Sequence, residues 1–143
     1  MKPLEFRVYD RDLKKMRYLS TSHDFICFDE SGKGYYHNMQ TGLGEWFSDP
    51  MQYTGHKDVN GIKIFEGDIV GQLDYKGELR EKDFGIVVWN DSNCSYQIKG
   101  HISSSTMKWT SHSMKVLGNI YENPEYIDEK IKKLLDNLEI EVK

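Results

Sequence analysis

Twenty residues, Met51 to Val70 (MQYTGHKDVNGIKIFEGDIV), restrict the fold of this chain more than any other part of it. Gly55, Gly61 and Gly67 interrupt short apolar runs there, and Gly71 follows directly. Glycine lets a backbone reverse at positive φ without steric cost, so the stretch reads as strand, turn, strand, turn, strand. Its side chains either pack or turn the chain, and almost none could carry out a reaction. The expected architecture is therefore a set of short, sharply connected antiparallel strands.

The rest of the chain supports a β reading. Leu4 to Tyr9 alternates, with Leu4, Phe6 and Val8 on an apolar face and Glu5 and Arg7 on a polar one. Asp10 to Lys15 is a turn, and Met16 and Tyr18 resume as the second arm of a hairpin. Phe25 to Phe28 and Tyr35 to Met39 are strands around a turn at Glu30 to Gly34. Gln40 to Pro50 holds Gly42, Gly44 and Pro50 and reads as a loop pinned by Trp46 and Phe47. Strands follow at Ile69 to Tyr75, Phe84 to Trp89, Tyr96 to Lys99 and Met114 to Tyr121. They are separated by a bend at Lys76 and Gly77, a turn at Asn90 to Asn93, and a loop at His101 to Thr106.

The C-terminus changes character. Asn123 followed by Pro124 reads as an N-cap and first helical residue. Ile127, Ile131, Leu134, Leu135 and Leu138 then fall on one face of a helix. Asp128 with Lys132, and Glu129 with Lys133, stand four apart in the favourable orientation. A helix of this length is marginal alone in water, so its apolar stripe must dock. Two docking partners are open: the sheet of the same chain, or a neighbouring subunit. We read residues 1–143 as one domain: an N-terminal β region over 1–50, a barrel-like core over 51–122, and a helix over 123–141. The fold class is mainly β (α+β), either a small SH3-like barrel or a bent antiparallel sheet, with an N-terminal hairpin region and one C-terminal helix.

Composition narrows the function classes. The chain is 38% hydrophobic and 13% aromatic, enough for a core, because each aromatic buries a large area. A net charge of −4 and the lack of a basic stripe argue against a phosphate-binding face. The basic cluster Arg11, Lys14, Lys15 and Arg17 stands beside Asp10 and Asp12. Cys27 and Cys94 read as two unpaired buried thiols in preference to a disulfide. The first residues hold no apolar leader and no run reaches membrane-spanning length, so the expected location is the cytoplasm.

Three strings in order carry a resemblance. The first is Phe6-Arg7-Val8-Tyr9-Asp10 with Lys15-Met16. The second is Met51-Gln52-Tyr53-Thr54-Gly55, Lys57-Asp58 and Asn60-Gly61, then Glu66-Gly67-Asp68-Ile69-Val70. The third is Gly118-Asn119-Ile120-Tyr121-Glu122-Asn123-Pro124-Glu125. Together they resemble the YopX family of phage and prophage proteins, over Glu5 to about Ile127. Val8-Tyr9 replaces the usual Ala-Trp, and His56 stands where leucine is usual. The resemblance implies a small, mostly β, homo-oligomeric protein encoded by phages of low-GC Gram-positive bacteria or their prophages, with no established activity.

Candidate chemistry is thin. Asp58-Val59-Asn60-Gly61 begins like a calcium loop, but Ile62 and Ile64 stand where oxygen ligands are needed. Asn60-Gly61 is a tight-turn signal, and Asp58 can hold the turn's own backbone. Asp68, in the turn Glu66-Gly67-Asp68, is expected to accept from main-chain N–H groups. None of His23, His37, His56, His101 and His112 shows metal-ligand spacing, and neither cysteine has a CxxC partner. Ser103-Ser104-Ser105 lacks a nucleophile elbow. The aromatics fit strand positions in a core better than a base-stacking surface, since single-strand binders add a positive groove. We therefore expect no catalytic, metal or cofactor site. The expected structural turns are Gly55, Asp58, Asn60, Gly61, Gly67, Asp68, Gly118, Asn123 and Pro124. The expected oligomer contact is Ile127, Ile131, Leu134, Leu135 and Leu138. The expected partners are a second copy and a host or phage protein, with nucleic acid as the alternative and no membrane.

Overall fold

Ten strands and one α-helix form among the residues that the computed structural model describes, 3–19, 24–38, 47–101 and 113–142. The strands are β1 (Phe6–Asp10), β2 (Lys15–Tyr18), β3 (Asp24–Phe28), β4 (Gly34–Asn38), β5 (Met51–Lys57), β6 (Lys63–Phe65), β7 (Asp68–Leu73), β8 (Leu79–Asn90), β9 (Ser95–His101) and β10 (Met114–Asn119); α1 spans Glu129–Asn137. All pairings are antiparallel. One sheet has the order β2-β1-β5-β6, a second has β10-β7-β8-β9, and β3-β4 forms a separate hairpin. The fold is mainly β, with a single C-terminal α-helix among the described residues, as expected. Because β1 pairs with β5, residues on both sides of position 50 share one sheet.

The Asn60-Gly61 signal produces the β5–β6 connection. The Gly61 N–H donates to the Asp58 carbonyl, the Asp58 N–H donates to the Ile62 carbonyl, and Gly61 adopts φ +78°. A side chain at that φ would be strained.

β7 is covered on both faces, which the two-residue side-chain period makes possible. On one face, Ile69, with Ile86 and Val88 of β8 and Ile120, packs against Ile131 and Leu135 of α1. On the other, Val70, Val87 and Met114 pack against Ile64 of β6. The molecule is thus layered as helix, second sheet, then first sheet.

Several expectations are corrected. Leu4 is exposed, and Arg7, assigned to a polar face, is buried, because its side chain packs over the Phe65 ring and pairs with Asp68 at the start of β7. The α-helix does not start at Asn123. Pro124–Tyr126 forms a single 3₁₀ turn, and α1 begins at Glu129 with Asp128 as N-cap, its carboxylate accepting from the Ile131 N–H. The Asn123 side chain instead accepts from the Asn119 N–H. Asp128 pairs with His101 on β9, not with Lys132. Cys27 and Cys94 are unpaired but exposed: Cys27 stands opposite Tyr35 on the hairpin, and Cys94 occupies a turn at φ 51°. The readings at Ser20, His23, Met39, the segment 40–46 with Gly42, Gly44 and Trp46, Ser103–Ser105, Thr106 and His112 lie outside the described residues.

Candidate functional site: a cleft between the two sheets

The polar residues of the three strings are tied to one another. Arg7 is 2% exposed; its guanidinium donates to Asp68 at 2.8 Å and to the Glu66 carbonyl at 3.1 Å, and lies over the Phe65 ring. Asp68 also accepts from the Phe65 N–H at 2.8 Å, the main-chain role expected of it. Burial pushes the Asp68 carboxyl above its ordinary range, and the Arg7 charge pulls it back. Asp58 accepts from the Asn60 and Ile62 N–H groups with one oxygen and from the Val116 N–H of β10 with the other. Asn119 accepts from the Tyr121 and Glu122 N–H groups. Gly67 donates to the Val87 carbonyl and accepts from the Ile120 N–H, so the second and third strings meet on the second sheet. A Cβ on Gly118 would overlap the Asn123 carboxamide, which explains the Gly118–Asn123 pairing within one string.

A cleft of about 700 Å³ opens between the sheets beside this knot. Met51, Gly67 and Ile120 contribute to its floor; Trp89 of β8 and Tyr121 bring aromatic surface; Leu138 and Ile140, just past α1, close one side. Trp89 is 43% exposed and meets Tyr96 edge to face. Tyr121 stacks on Tyr9 at 4.9 Å, and burial raises its phenol above the ordinary range against the opposing pull of Ser48 and Arg11. Nearby, Tyr96 donates to the Gln52 side chain, and burial with the Glu66 charge pushes its phenol up to about 12.

Among the described residues, the cleft carries five carboxylates, Asp49, Glu66, Asp91, Glu139 and Glu141, against two cations, Arg11 and Lys33. Glu66 accepts from the Gln52 N–H at 2.8 Å. Arg11 donates to the Glu141 carbonyl at 3.2 Å and lies 5.9 Å from the Tyr121 ring centroid. The arrangement can hold a cation against an aromatic and apolar surface.

Of the expected oligomer contacts, Ile131 and Leu135 lie in the chain's own core at 1% and 2% exposure, and Ile127, Leu134 and Leu138 pack around them. Own-chain packing, one of the two docking partners left open by the sequence, is what the described residues show. Of the expected turns, Gly55, Gly61, Gly67 and Gly118 have positive φ. The sequence reading missed Arg7, Arg11, Trp89, Glu139 and Glu141. Arg7 alone left a signal, a cation in an alternating apolar strand. No three His, Cys, Asp or Glu among the described residues group as metal ligands, and no helix among them is long and apolar enough to cross a membrane.

The comparisons agree with this architecture. The YopX protein family model matches residues 5–128. The crystal structure of protein EF1440 from Enterococcus faecalis is similar at 21% identity and TM-score 0.61, covering 90% of this chain and 100% of that one. The structure of protein yopX from Bacillus subtilis is similar at 17% identity and TM-score 0.54, with the same coverage. No curated protein matches. With the family strings knotted together in the fold and the family model spanning most of the sequence, the chain belongs to the YopX family.

Proposed function

We propose that this is a phage- or prophage-encoded accessory protein that acts in the host cytoplasm by binding another protein, self-associates, and performs no catalysis. One observation carries the reading: the carboxylates and carboxamides of the family strings, Asp58, Asp68 and Asn119, are engaged in holding the main chain and Arg7. Groups held in this way position surfaces and are not poised to transfer protons. Self-association would use an exposed face such as the β3–β4 hairpin, where Phe25, Phe28 and Tyr35 are exposed, because the α1 stripe is covered. The alternative is an SH3-like nucleic-acid-binding module. Exposed Trp89 and Phe28 could stack on bases, but the acidic cleft beside Trp89 repels phosphate.

The test is affinity capture of the tagged protein from induced host cells, with light scattering of the purified chain. A protein retained stoichiometrically and a mass above one chain are expected. Salt-sensitive binding to single- or double-stranded DNA or RNA, with no protein retained, would overturn the reading in favour of the alternative.

A further inference from the structure

The geometry points to a specific occupant for the cleft between the sheets: an extended segment of the partner protein that alternates arginine or lysine with apolar residues. This rests on the protein-binding reading above and names the chemistry of the partner. Three features converge. Apolar side chains line the cleft, Leu138 and Ile140 partly exposed beside the nearly buried Met51, Val87 and Ile120, and suit aliphatic side chains or the methylene stems of long cations. The wall offers the exposed ring of Trp89, the best aromatic surface for a guanidinium or ammonium. Four of the carboxylates, Asp49, Asp91, Glu139 and Glu141, form no hydrogen bond or ion pair within the described residues, so their charge is available to a ligand.

The chain itself supplies an example of this recognition. Arg11 already sits in the cleft, its guanidinium near the Tyr121 ring and bonded to the Glu141 carbonyl. Lys33, at the tip of the β3–β4 hairpin, is the second cation and lies near the Tyr35 ring. After both, the carboxylates remain in excess among the described residues. An acidic or neutral segment would leave them facing each other without compensation. A basic segment meets them and places its stems on the floor.

The test uses the full chain and a fluorescein-labelled Leu-Arg-Leu-Arg-Leu-Arg-Leu peptide, read by anisotropy. The comparison peptide has glutamate in place of every arginine. Two variants are made: Asp91→Asn/Glu139→Gln/Glu141→Gln in the cleft, and Glu78→Gln/Glu81→Gln/Glu129→Gln elsewhere, with the same change in net charge. All six positions are exposed, so both variants are expected to fold. The arginine peptide should bind wild type and the second variant equally, and the cleft variant about tenfold more weakly, the sum expected of three exposed charge pairs. Trp89→Phe should weaken binding with the Tm unchanged. Equal loss in the two triple variants would show non-specific attraction to an acidic protein and overturn the proposal, as would binding of the glutamate peptide. Partner capture separates the two claims. A partner still held by the cleft variant overturns the cleft assignment and leaves the protein-binding reading intact, whereas a wild-type chain that captures no protein overturns that reading.

Discussion

Arg7 and Asp68 meet at 2.8 Å across 61 positions of sequence, both side chains 3% exposed. Charges taken out of water are costly unless the geometry and the remaining hydrogen bonds compensate. Asp68 is well compensated by Arg7 and the Phe65 N–H, while Arg7 Nε has no partner among the described residues. The pair is therefore a register device, tying β1 to the start of β7, more than a source of net stability. Removing one member leaves the other buried and unpaired. Arg7→Met should destabilise by about 3–5 kcal/mol. Arg7→Met/Asp68→Asn, which keeps an acceptor for the Phe65 N–H, should cost less than the sum of its single changes. Denaturant midpoints of the three variants check this, and strict additivity would show that the two side chains do not act as a pair. No periodicity in the sequence could reveal this contact, because alternation says which face a residue shares with its neighbours along the strand, not what lies opposite. The local turn at Asp58 was legible for the converse reason: donor and acceptor lie within four residues.

At the scale of elements, α1 begins where its cap is best, not where proline first permits a helix. Asp128 is extended at φ −87° and ψ −173° and accepts from the Ile131 N–H, and its other oxygen meets His101 Nε2 at 2.5 Å. The Ile131 N–H lowers the Asp128 carboxyl below its usual range, with a smaller contribution from His101. A lowered carboxyl pKa gives stability that is present above the unfolded value, near 4, and is lost as pH falls through the folded value. Asp128→Ala should cost about 1 kcal/mol at pH 7 and less at pH 3. Asp128→Asn should retain most of the cap and show a flatter response over the same window. Because the carboxylate is exposed, solvent screening keeps the charge contribution small. Urea midpoints at the two pH values check this; an equal Asp128→Ala cost at both would remove the cap's charge from the account. The strands were legible because each is short and bounded by turn residues. Boundaries were less so: β8 runs from Leu79, well before the apolar run at Phe84, since its polar first half is held by pairing of Leu79 with Leu73 and by the Asp74–Gly77 turn. The acidic cleft was not legible at all, as its carboxylates come from four separate segments.

For the molecule as a whole, the decisive question is whether the α1 stripe closes this chain or joins two. Ile131 and Leu135 occupy the same cluster as Ile69, Ile86 and Ile120, so the second sheet cannot keep that face dry without the helix. The first sheet is fastened to the second independently, through Arg7 with Asp68, Tyr9 on Tyr121 and Val59 with Met114. Loss of the helix contact should therefore propagate to both sheets and not fray the C-terminus alone. Leu135→Ala should lower stability by about 2–5 kcal/mol, the range for a truncated core leucine, through a single transition whose near-UV and far-UV signals move together. Its mass in light scattering should equal that of the wild type. An interface residue would behave in the opposite way: the variant would dissociate and its stability would come to depend on protein concentration. Unfolding at two concentrations tenfold apart separates these outcomes, and a concentration-dependent Tm confined to wild type would move the stripe from the core of one chain to the contact between two.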